Sequence, residues 1–134
     1  MTNPLFLILA AASAHAALPS HAAVEHAVAR LDMTSFPNAL AGGGAPGKRL
    51  LRQFGPQRYA WSDGTLEVTE AGGGWVRSFE PLASPAGRIR LCFTDQAQNG
   101  GTYLVEKAIE LSPGPGGLYR GRVIKDRHCD EFAR

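Results

Sequence analysis

The sequence predicts an all-β domain, a small antiparallel meander closed or nearly closed into a β-barrel, preceded by a signal peptide and a flexible leader. From Lys48 onward, apolar and polar residues alternate over short runs, the pattern of half-buried strands. Gly, Pro and Asp-Gly signals interrupt those runs about every ten residues, as in small sandwiches and barrels. The two longest runs lie in the stretch from Arg88 to Leu111 and flank Asn99-Gly100-Gly101.

The first residues bear on compartment. Leu5 to Ala12 form a short apolar run followed by Ala12-Ser13-Ala14 and Ala14-His15-Ala16, small-residue patterns that suit signal cleavage. The n-region Met1-Thr2-Asn3 lacks the usual basic residue. The run is too short for a membrane span of about twenty residues. Residues 1–16 are therefore expected to be a signal peptide, and the mature chain is expected to be periplasmic or secreted, without a transmembrane span.

Residues 17–47 are rich in Ala, Gly and Pro and read as a leader. Val24, Ala27, Val28 and Leu31 stand at helical spacing behind Pro19-Ser20, so this piece is either a short helix or an unstructured lead-in. Leu31 and Met33 alternate against Asp32 and Thr34, the mark of a first edge strand ended by Pro37-Asn38. Gly42 to Lys48 matches the spacing of a phosphate-binding loop only as far as the lysine. Arg49 stands where Ser or Thr should hold magnesium, and no strand precedes the glycines. The stretch is a linker.

The barrel-like domain spans 48–134. Leu50, Leu51 and Phe54 make a brief apolar patch, strand or helical turn, stopped by Gly55-Pro56. Gln57 to Trp61 and Thr65 to Glu70 flank Ser62-Asp63-Gly64, a hairpin signal. Ala71 to Gly74 turns the chain into a strand over Trp75 to Glu80, and Pro81 to Gly87 turns it again. In the next run Ile89, Leu91 and Phe93 face one way and Arg90, Cys92 and Thr94 the other. Tyr103, Val105, Ile109 and Leu111 share a face interrupted by Lys107; strand is favoured over a helix across Leu104 to Leu111, since no cap is present. Ser112 to Gly117 breaks the chain before a last strand over Leu118 to Ile124.

Cys92 and Cys129 are the two cysteines of the chain. In an exported protein they read as one disulfide, with the tail crossing the wall from the outside, because Cys92 faces away from the main apolar set. A metal reading of His128-Cys129-Asp130-Glu131 is disfavoured, since adjacent residues cannot all turn to one ion and Cys92 would then lack a role.

The net charge of +2 is too small to supply the domain-wide basic field that nucleic-acid binding draws on, so no nucleic-acid partner is expected. The arginines of Arg120-Gly121-Arg122 and of Lys48 to Arg52 read as solvated edges. No serine stands in a nucleophile frame, and three of the four histidines, His15, His21 and His26, precede the domain. No catalytic residue, metal site or cofactor is assigned.

One constellation places charge on an apolar face. Arg77 lies between Trp75 and Phe79 at strand spacing, and Lys107 between Val105 and Ile109. If those faces line a lumen, Arg77 and Lys107 with Trp75 and Phe79 would seat an anionic head group; otherwise the cations face solvent or reach the rim. In size, export and single bridge the chain resembles the small periplasmic barrels that inhibit lysozymes or proteases. The likeness is one of architecture, with no inhibitory loop motif on these residues. The expectation is a non-enzymatic exported module that binds a protein or envelope partner through loops or an edge strand. The alternative is a carrier of a small amphipathic anion, and an enzyme ranks third.

Overall fold

A computed structural model describes residues 16–36, 49–98, 100–101, 103–130 and 132–133. Residues 1–15, within the stretch 1–16 expected to be a signal peptide, and residues 37–48, which include the glycine-rich linker, lie outside this set. About half of the described chain is strand. One α-helix among the described residues, α1 (His21–Ala29), precedes β1 (Leu31–Asp32), β2 (Gln57–Ser62), β3 (Thr65–Glu70), β4 (Trp75–Leu82), β5 (Ile89–Ala97), β6 (Leu104–Pro113), β7 (Tyr119–Ile124) and β8 (Phe132–Ala133). Strands β2 to β7 form an antiparallel meander, and the sheet runs in the order β1-β7-β6-β5-β4-β3-β2, with β8 added beside β7 on β6. The sheet curls into a half-barrel. It stays open because β1 and β2, at the two ends of that order, do not pair, and β1 departs from the meander by pairing parallel to β7.

Local chemistry explains the elements. Asp63 and Gly64 both take positive φ (49° and 76°), the type I′ turn whose twist matches a two-residue hairpin. Pro81 extends β4 beyond the strand read from sequence. It lies past the last β3 partner, where Leu66 meets Phe79, so no β3 carbonyl waits there for an N–H. The alternative of a helix over Leu104 to Leu111 is not adopted; β5 and β6 pair along their length. The patch at Leu50 is a single turn of 3-10 helix, Leu51–Phe54.

The concave face holds the core. Leu66 and Val68 of β3, Phe79 of β4, Leu91 and Phe93 of β5 and Ile109 and Leu111 of β6 are buried together with Val24, Ala27 and Val28 of α1. Of the two expectations for the N-terminal piece, the helix is the one present. Ser20 caps it by accepting a hydrogen bond from the Ala23 amide at 3.1 Å. Residues 21–36 thus belong to the same core as the strands, with Met33 and Phe36 buried beside them. Phe36 lies flat over Gly121, where an added Cβ would come within 2.2 Å of the ring, and stacks on Phe93 with centroids 6.0 Å apart.

A second, smaller cluster sits on the convex face. The disulfide joins Cys92 to Cys129 across a Cα separation of 5.5 Å, in the normal range for a bridge. Leu82, Ala108 and Ile124 pack around it. The tail after Ile124 therefore crosses the wall from the outside, as the facing of Cys92 predicts.

Candidate functional site

Alternation along β4 sends Trp75, Arg77 and Phe79 to the concave side. Phe79 is wholly buried in the core, its ring 5.0 Å from that of Phe93. Arg77 is almost as deeply buried, and it meets two carboxylates supplied by its neighbours in the sheet. Its Nη1 donates to Glu70 Oε1 at 2.8 Å, and its Nε stands 3.3 Å from Asp95 Oδ1, an ion-pair distance without hydrogen-bond alignment. The guanidinium also lies 5.5 Å from the Phe54 ring centroid and 5.8 Å from that of Trp75, within cation–π range. Tyr103 closes over this end, edge-on to Trp75 at 5.5 Å.

The electrostatics follow from burial. Removal from water pushes Asp95 up to about 6, further raised by Glu70 and held back by Arg77. Tyr103 is raised by burial and then by the charge of Asp95, with Arg77 opposing. Two acids thus share one guanidinium in a site that water does not easily reach.

Lys107 is not brought to Arg77. It pairs in register with Phe93, is only half-buried, and with Arg122, Val123, Ile124 and Lys125 lines a shallow depression beside the end of β7. A cleft of about 360 Å³ lies at the far end of the β2–β3 hairpin; it is lined by residues 56–58 and 69–73, and so stops at Gln57 and Glu70. His128 accompanies Asp126 (Nδ1 to Oδ1, 2.6 Å) on the exposed tail. No set of three or more His, Cys, Asp or Glu among the described residues is placed to hold a metal.

The feature that sequence reasoning named without locating is the open edge. β2 ends the strand order, and Arg58, Tyr59 and Ala60 are exposed. Because a two-residue turn closes on the hydrogen-bonded pair Ser62 and Thr65, the bonded positions are Ser62, Ala60 and Arg58. The backbone N–H and C=O of Gln57, Tyr59 and Trp61 then point away from β3. This edge is tied to α1: His21 stacks on Trp61 at 3.6 Å, and Trp61 Nε1 donates to Glu25 at 2.6 Å. Tyr59 is raised by partial burial and by the charge of Glu25.

No helix among the described residues is long and apolar enough to cross a membrane. No protein-family model, curated protein or solved structure matches the chain.

Proposed function

We propose that this chain is an exported, non-enzymatic interaction module whose β2 edge receives an extended segment of a protein partner. The observation that carries the reading is the outer side of β2, unpaired among the described residues and a template for strand addition. It is exposed at Arg58 to Ala60 and steadied from behind by His21 and Glu25. Export is supported by the apolar run at Leu5 to Ala12 and by the bridge between Cys92 and Cys129, which suits an oxidising compartment. Less supports a lumen carrier: α1 fills the concave face, and Arg77 already faces Glu70 and Asp95.

Tyr59→Pro tests it. Proline removes an outward N–H while leaving the bonded pairs with β3 intact. The partner recovered by cross-linking from the envelope fraction should be bound by the native chain and lost, by tenfold or more (about 1.4 kcal/mol), with Tyr59→Pro at unchanged thermal stability. Equal recovery by the two chains would show that the edge is not the docking surface.

A further inference from the structure

The convex face carries a charge pattern that the β2 edge does not use. Glu110 of β6 is buried and accepts from four guanidinium nitrogens: Arg88 Nη1 at 2.9 Å, Arg90 Nε at 2.8 Å, and Arg122 Nε and Nη2 at 3.1 and 2.8 Å. Burial alone would raise its carboxyl, but hydrogen bonds from Arg122 and Arg90 and the charges of Arg122 and Arg88 outweigh that and hold it down to about 2. Glu110 is thus a permanent anion that orders three long side chains while neutralising one of them. The arginine side chains stay open to solvent, 51% exposed at Arg88, 37% at Arg90 and 63% at Arg122.

Arg120, exposed, extends the group one step along β7. Asp32, its neighbour in the β1 register, is buried and accepts from the Thr34 amide instead. The tail adds Lys125 and Arg127 against Asp126, whose charge is felt by Arg90. Arg90 and Arg122 flank β6 at about 10 Å, and Arg120 and Arg122 stand about 7 Å apart along β7. The result is a grid of forked donors fixed on a rigid sheet, in a chain whose net charge is only +2.

The same end of the sheet has an uncharged, apolar rim. Arg90 N donates to Ser84 Oγ at 2.8 Å, and Ser84 is bridged to Ala17, which brings Leu18, 69% exposed, to the same end of the sheet as the arginines. Ala83 and Ala86 on one loop and Pro113 and Pro115 on another are also exposed there. A soluble polyanion would use the cations and leave this rim idle. A bilayer surface uses both, with phosphates against the guanidinium grid and small apolar groups at the headgroup boundary.

We propose that this end of the half-barrel docks on an anionic lipid surface, with Arg88, Arg90, Arg120 and Arg122 taking the phosphates and Leu18 entering the interface. The surface is separate from the β2 edge, and either reading can fail without the other.

The test is co-sedimentation of the full chain with vesicles of equal phosphatidylglycerol and phosphatidylcholine, against phosphatidylcholine alone, at low and high salt. Binding is expected to the first only, and to weaken steeply with salt. Arg88→Ser with Arg120→Ser should weaken it about tenfold or more. Leu18→Ser should weaken it several-fold, and Arg58→Ser, on the far edge strand β2, should leave it unchanged where Arg120→Ser, the same loss of one charge, does not. Arg120 makes no bond to Glu110, so Arg120→Ser alone carries the test if the double variant does not fold. Equal binding to both vesicles, as the Leu5 to Ala12 run alone would give, overturns the proposal. So does undiminished binding by the arginine variants, or release by soluble polyphosphate at matched phosphate concentration.

Discussion

Asp95 is an acid placed where its charge costs stability. Its carboxyl is raised from 3.8 to about 6, so between these values the folded chain binds more proton than the unfolded one. Stability must therefore fall as pH rises from about 4 to about 6 and level off above, with an amplitude on the order of 3 kcal/mol. Glu110, lowered from 4.5 to about 2, acts in the opposite sense and in a lower window, contributing stability that is lost as pH drops below about 4. Asp95→Asn should flatten the upper slope in urea denaturation midpoints measured from about pH 2 to 7 while leaving the acid limb in place. A slope unchanged by the substitution would move the titration to another group. Gly121 poses a steric question. A methyl group there would meet the Phe36 ring, so Gly121→Ala should cost about 2 kcal/mol or more, and less when Phe36→Leu makes room. Neither residue's role was legible in the sequence. Arg120-Gly121-Arg122 looks like a solvated edge until Phe36, far away in the chain, is known to lie on it, and Arg77 looks unpartnered until the register brings Glu70 and Asp95 to it.

Elements were more legible, because each depends on its own residues. The Asp63-Gly64 hairpin and the alternation that turns Cys92 outward are local facts, and the structure has both. The bridge closes a loop of sequence separation 37, for which chain-entropy reasoning gives about 4 kcal/mol. Little else holds the segment from Lys125 to His128, whose residues are exposed or partly so. Reduction should lower the unfolding midpoint and open the chain after Ile124 to protease while β4 to β6 stay protected. Identical digestion of oxidised and reduced protein would show that β8 alone secures the tail. What local pattern did not reveal was the place of α1, since a short Ala-rich helix carries the same sequence signal whether it is a loose leader or a plug in a sheet.

At the scale of the whole molecule, alternation tells which face of each strand is buried but not whether the sheet closes on itself. The curl is a half-barrel because α1 and the turn at Met33 occupy the concave side that opposing strands would otherwise fill. That arrangement ties the beginning of the fold to its end: Leu31 pairs with Tyr119, and Arg30 O accepts from the Tyr119 amide at 2.8 Å. During synthesis α1 and β1 appear first, with nothing yet to cover Val24 and Val28 or to pair with Leu31. Contacts between such distant partners form late. The completed core therefore waits on the last strands, and if the chain is exported as proposed, one still short of β7 would meet its translocation machinery unfolded.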